Sequence, residues 1–394
     1  MQGSPPPEEW RIPSRLWDQP PWNRWSFQHV RQLLPTQTVS RGIGPASPLP
    51  ENHQDILDIE FDAFDNRRMS VEQMLDETYT DGFLVAIGGK IVHESYYNAM
   101  TPSSIHLAQS VSKSVTSSVA GILIEQGLLD PQAPVTQFLP ELERTAWKGA
   151  TLRQVLDMTT GVRFNEEYTA PDSDIAMTDV ASGWKPLPEN AEAANWPTCI
   201  WDQILGLNEM EAAHGEQFHY RSIETDVLAF AMERVSGKRL SNLVSEHLWS
   251  RIGAETDACF TVDSSGYALA DGGFNASLRD FARFGLLHLN AGVNHLGEQV
   301  IPSAWIDDIR RGRHGKFNDD YRDLLPNGQY RNMFWVEDRG RETVMCLGVF
   351  GQLVYIAPEY DLVAVKLSTW PDFLNTEFKS NTLRAIHAVA RMLA

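Results

Sequence analysis

Short β-rich segments stand at both ends of this chain, and helical periodicity fills the middle. Near the start, FLVAI (83–87) and KIVHESYY (90–97) flank Gly88-Gly89, a pair that tolerates the positive φ of a tight hairpin turn. Beyond residue 330, NMFWVE, TVMCLGVF, QLVYIA and DLVAVKLS follow one another, divided by Gly, Pro or charged turns. Between these ends, apolar spacing predicts helices from about 110 to Gly127 and over 151–158, 222–236, 238–250 and 277–290. Two more are expected at 70–80 and 378–393. Strands that distant in sequence can share one antiparallel sheet only if the helical middle is set aside as an insertion. The expected class is therefore α+β, with a sheet built from N- and C-terminal segments, flanking helices and an inserted, mostly helical lobe.

A chain of 394 residues is long for a single core, which fits two lobes with a cleft between them. Residues 51–120 and 300–394 are assigned to the α/β lobe, and 121–299 to the helical lobe. Within the latter, 163–204 is acidic, aromatic and weakly periodic, and so long an irregular stretch is usually functional or mobile. Residues 1–50 hold Trp10, Trp17, Trp22 and Trp25 among many prolines. They read as an extended arm laid over the folded body, each Trp burying area in place of regular structure.

The formal charge is −19, from 52 acidic against 33 basic residues, which disfavours nucleic acid and anionic membrane surfaces as partners. No basic segment followed by an apolar one opens the chain, and no window of about 18 apolar residues occurs, so a cytoplasmic location is expected. Cys199, Cys259 and Cys346 are too scattered for a disulfide framework or metal knuckle and are expected to be buried.

The chemistry-bearing residues are few. In Ser110-Val111-Ser112-Lys113, hydroxyl and amine stand at i and i+3, on one face of a helix. A serine becomes a nucleophile when a base removes its proton, and a lysine can be that base if its pKa falls well below about 10.4. The first turn of a helix also offers free N–H groups to a developing oxyanion. Alone, the pattern is weak and reads more readily as the polar start of a Ser-rich helix. Two features change the balance. In GEQFHYRSIETDVLAF (215–230), Tyr220 and Ser222 fall in a turn just before a helix, and a tyrosine beside a lysine can relay a proton. Gly348 and Gly351 flank Val349-Phe350, where glycine permits close approach of backbone or ligand. Rival constellations fail. There is no GxSxG, HExxH, GxGxxG or Walker loop, and His214 and His219 lie five apart, so neither metal nor cofactor is expected.

SVSKS (110–114), YRS (220–222) ahead of TDVLA, and GVFGQLVYIAP (348–358) occur in the order of the three motifs of the serine β-lactamase and penicillin-binding family, which this chain resembles. Class C enzymes and D-Ala-D-Ala carboxypeptidases form the nearest branch. TLRQVLDMTTGV, ADGGFNASLRDFARFG and VAVKLSTWPD extend the likeness across most of 78–394. The resemblance implies that Ser110 is the nucleophile, Lys113 its base and Tyr220 the group handling the leaving-group proton. It implies an oxyanion and substrate strand at Val349, Phe350, Gly351 and Gln352, and substrate contacts from Tyr168, Asp179, Trp184, Ser222 and Asp271. PPWNRWSFQH (20–29), NEEY (165–168) and ASGW (181–184) are similar to an amidase branch, so linear amides of ω-amino acids and small carboxylic esters are the expected substrates. No partner beyond that small molecule is expected, with a homodimer left open. Two departures stand out. Phe350 occupies the place of the family's Lys or His, removing the cation that would hold a carboxylate, and Ser222 replaces the Asn of the second motif. Turnover of β-lactams or D-Ala-D-Ala peptides, or ligand binding without turnover, are the alternatives.

Overall fold

The computed structural model describes residues 11–322 and 325–393. Seven strands form one wholly antiparallel sheet, in the order Lys90–Tyr96, Thr80–Ile87, Leu362–Ser368, Gln352–Ala357, Thr343–Gly348, Phe334–Asp338 and Gln329–Arg331. The N-terminal hairpin turns at Gly88 and Gly89, with φ of 58° and 71°, and joins the last strand directly, Val85 pairing with Ala364. The three central strands are buried almost throughout. Their sequences are continuously apolar because both faces are covered. Gly285 of the Leu278–Leu289 helix lies against Val354 and Val363, whereas Tyr355, on the opposite face, reaches His387 of the Thr376–Leu393 helix. A methyl group added at Gly285 would sit 2.6 Å from Val363, so the glycine sets how closely that helix lies on the sheet.

The helix Val111–Glu125 runs behind this sheet, buried from Val111 to Leu123 despite five hydroxyls. Burial of hydroxyls is tolerated only when each is bonded. Ser114 donates to the Met333 carbonyl at 2.8 Å, Ser117 to that of Asn332, and Ser118 to that of Ser114. The serines that made this segment look polar therefore tie the helix to the 332–333 turn. Ile223–Ser236 packs beside it, ended by Gly237 in the left-handed conformation.

Several elements depart from the sequence reading. Residues 11–50 are not without regular structure. They form helical turns at Asn23–Ser26 and Val30–Leu33 and a strand, Thr36–Val39. That strand opens a second, four-stranded antiparallel sheet with Ala258–Thr261, Phe274–Ser277 and Ile105–Leu107. TQTV is too short and polar to signal this, and its partner lies over two hundred residues away. Of the four tryptophans, Trp17 is buried and Trp25 is exposed, while Trp10 lies outside the described residues. The 163–204 stretch carries the helix Asp174–Ala181, capped by the Ser173 hydroxyl accepting the Ala176 amide. The three cysteines are unpaired and buried. No helix among the described residues is long and apolar enough to cross a membrane.

Candidate active site

Ser110 stands at the head of the Val111–Glu125 helix and caps nothing, leaving its hydroxyl free for other partners. Gln109 before it has φ of 51°, a left-handed conformation that costs a non-glycine residue on the order of 1 kcal/mol. Its carbonyl accepts both the Ser112 amide, at 2.9 Å, and the Ser112 hydroxyl, at 2.6 Å. Ser112 Oγ accepts the Phe274 amide at 2.9 Å, so the turn presenting Ser110 is fastened to the four-stranded sheet.

One helical turn on, Lys113 is almost fully buried. Its Nζ donates to Ser110 Oγ at 2.8 Å and to the Asp271 carbonyl at 2.7 Å, and lies 5.2 Å from the centroid of the Tyr220 ring. Asp226 holds the Asp271 loop by accepting the Ala270 amide at 2.9 Å. Burial, with Asp271 nearby, raises the Asp226 carboxyl well above its ordinary value. The Tyr220 ring stacks on Trp335, 5.6 Å between centroids, which sets its face against Lys113 Nζ. Next to it, buried Arg221 bonds Glu224 at 3.2 Å and also Glu211, which fixes the Tyr220–Ser222 turn.

The lowered lysine pKa that would make Lys113 a ready base is opposed by its neighbours. Burial pushes Lys113 down, but Tyr220, Asp271 and Glu166 push it up and prevail. Burial likewise raises Tyr220, against the opposing pull of Lys113. Both groups are therefore harder to deprotonate than a free lysine or tyrosine.

The third motif is a turn rather than a strand. Val349–Gly351 is a kinked turn between Thr343–Gly348 and Gln352–Ala357, with Phe350 in the left-handed region at φ 61°. Gly348 lets this turn approach the nucleophile, since a methyl group there would meet the Ala108 carbonyl at 2.5 Å. Gly351 has φ of 89° and lies flat on Trp370, where a methyl group would come within 2.2 Å of the ring. The four residues grouped from sequence separate here. The Phe350 amide is spent on the Phe373 carbonyl at 2.9 Å, and its buried ring packs between Phe27 and Phe373. The Gln352 carboxamide is buried and turned away, donating to the Ser368 carbonyl at 2.7 Å. Val349 and Phe350 line the cleft, as does Ser110. The Ser110 and Val349 amides carry no hydrogen bond to another described residue.

Tyr168, Asp179, Trp184, Ser222 and Asp271 all line the same cleft. Tyr168 stacks on Phe373 at 5.2 Å and donates to Glu166 at 2.8 Å. Asp179 pairs with Lys185 at 2.8 Å, and burial raises its carboxyl to about 6. Burial does the same for Asp271, also to about 6, against the pull of Lys113. Trp184 donates to Thr261 Oγ1 at 2.9 Å and meets Trp17 edge-on at 5.2 Å. Ser222 donates its amide to Glu166 at 2.7 Å and its hydroxyl to the same carboxylate. Ser222 is thus occupied by Glu166, where the family's Asn would offer a carboxamide. Sequence reasoning named the NEEY segment without singling out Glu166. It also passed over Asp18 and Phe373, which line the cleft from opposite ends of the chain.

Comparison with known proteins agrees with this geometry. The beta-lactamase family model matches residues 70–389. A 6-aminohexanoate-dimer hydrolase from Paenarthrobacter ureafaciens is 36% identical over 358 residues, covering 90% of this chain and 88% of the relative. The chain therefore belongs to the beta-lactamase family, and within it is a serine hydrolase. Among solved structures, a Bacillus anthracis protein described as a candidate 6-aminohexanoate-dimer hydrolase superposes with a TM-score of 0.89 at 28% identity, over 98% of both chains. A family VIII carboxylesterase shares the fold at a TM-score of 0.59 and 17% identity, over 79% of this chain and 92% of the other.

Proposed function

We propose that this protein hydrolyses linear amides of ω-amino acids, of the 6-aminohexanoate-dimer type, through an acyl-enzyme on Ser110. The observation that carries the reading is the 2.8 Å contact of Lys113 Nζ with Ser110 Oγ beneath Tyr220, in a cleft lined by Asp179 and Asp271. Ser110 attacks the amide carbon as its proton passes to the Lys113–Tyr220 pair. The unpaired Ser110 and Val349 amides receive the oxyanion. Tyr220 gives a proton to the leaving amine, and water then releases the acid by the reverse sequence. Burial and the neighbouring charges leave the Lys113 and Tyr220 pKa values raised, so the pair should accept the Ser110 proton more readily as pH rises, and the rate should climb on the alkaline side of neutrality.

Two observations favour this substrate over β-lactams and D-Ala peptides. The third motif offers no cation, since Phe350 buries an uncharged ring there. Carboxylates at Asp18, Asp179 and Asp271 line the cleft instead, a setting that suits an amine-bearing chain better than a carboxylate-bearing one. Small esters should react as well, their leaving groups needing less protonation. The test is wild type and Ser110→Ala assayed on the aminohexanoate dimer, a p-nitrophenyl ester and a cephalosporin. Wild type should release 6-aminohexanoate and show a p-nitrophenol burst, both absent in Ser110→Ala. Preferred turnover of the cephalosporin would refute the reading.

A further inference from the structure

Asp18 sits in the N-terminal arm, is 3% exposed and lines the cleft beside Thr178, Asp179 and Trp184. Its Oδ2 receives Lys185 Nζ at 3.0 Å, and the same ammonium lies 2.8 Å from Asp179. Its other oxygen, Oδ1, is buried and has no hydrogen-bond partner among the described residues. A carboxylate oxygen held that way is costly, because water has been removed and nothing put in its place. The Lys185 pair uses only one of the two carboxylate oxygens. Trp17 is fastened independently, its Nε1 donating to the Trp184 carbonyl at 2.7 Å. Charge points the same way. Two carboxylates share one lysine, so the group keeps a net negative charge with one acceptor unused.

We propose that Asp18 is a specificity-determining residue whose Oδ1 accepts a hydrogen bond from a terminal ammonium of the substrate's acyl chain. The proposal rests on the reading of the cleft as an ω-amino amide site and names an acid that recognises the amine. An ammonium fits better than a neutral donor because it supplies both the missing hydrogen bond and the missing positive charge. Replacing Asp18 by Asn keeps the shape. Lys185 would then pair with Asp179 one to one, and the group would lose its net charge although Asp179 remains.

The test compares p-nitrophenyl 6-aminohexanoate with p-nitrophenyl hexanoate, which differ only in that ammonium. In wild type the ratio of their kcat/KM values should favour the amino ester. In Asp18→Asn the ratio should fall by about tenfold or more, the scale of one charge-assisted hydrogen bond. A ratio taken within one preparation does not depend on how much enzyme is folded, so a poorly folding variant still reports. An unchanged ratio would overturn the proposal. A second measurement needs no variant: pentylammonium should compete with the neutral ester in wild type about tenfold better than pentanol, and equal inhibition would overturn the proposal too. The ester pair decides Asp18 whether or not the dimer is cleaved, and failure to cleave the dimer would count against the amide reading alone.

Discussion

The floor and the rim of the cleft are assembled in opposite ways. On the floor, Ser110, Ser112 and Lys113 share one helical turn: hydrogen bonds with Gln109 and Phe274 fix Ser112, the Asp271 carbonyl holds Lys113, and Lys113 in turn holds Ser110. The rim draws Asp18, Tyr168, Asp179, Trp184 and Phe373 from distant parts of the chain. Ring contacts hold much of it: Trp17 on Trp184, Tyr168 on Phe373, and Phe350 between Phe27 and Phe373. Hydrogen bonds demand direction, so the floor tolerates little change. Ring packing demands only volume and edge contact, so the rim can be re-cut for a new substrate while the nucleophile stays in place.

The largest effect should come from breaking the floor. Lys113→Ala removes the proton acceptor and leaves the Asp271 carbonyl unpaired. We expect kcat on a p-nitrophenyl ester to fall by about 10²–10⁴, and a loss under threefold would mean another base serves Ser110. Trp17→Ala attacks the rim from behind. It should cost about 3 kcal/mol in urea unfolding and raise KM more than it lowers kcat, as the Trp184 wall loosens. If kcat fell alone, the rim and floor would not be separable. Gly351→Ala sits at their junction, where positive φ and the Trp370 ring both oppose a side chain. A loss of about 2 kcal/mol in stability with lower kcat/KM is expected, and a neutral result would show that Trp370 yields freely. Glu166→Gln should have the smallest effect. Glu166 raises Lys113 and Tyr220, so removing its charge lets the pair deprotonate at lower pH, and the acid limb of the pH–rate profile should move down by roughly half to one unit. A shift upward would contradict the electrostatics described.

The same contrast explains what could be read from sequence. The floor was legible because its members are local: an i, i+3 pair carries its own geometry, and Gly88-Gly89 or Gly237 mark their turns without help. The sheet was legible from runs such as QLVYIA and DLVAVKLS, which are apolar throughout because both faces are covered. Asp18 carries no local signal, for an acid among prolines looks like any solvated residue until Lys185 arrives from far along the chain. Which amide of 349–352 stays free depends on the Phe373 carbonyl taking the one from Phe350, again a distant partner. The electrostatic balance at Lys113 depends on distant partners too. Burial could be foreseen, but the acids that outweigh it come from separate loops.

The pairing of Thr80–Ile87 with Leu362–Ser368 also has a consequence in time. The two strands are about 280 residues apart, so at roughly 10 residues per second the ribosome delivers the second about half a minute after the first. Throughout that interval the FLVAI strand has one edge unpaired and its apolar surface uncovered. The nascent chain is then at its most vulnerable to aggregation, and slowing synthesis would prolong that exposure.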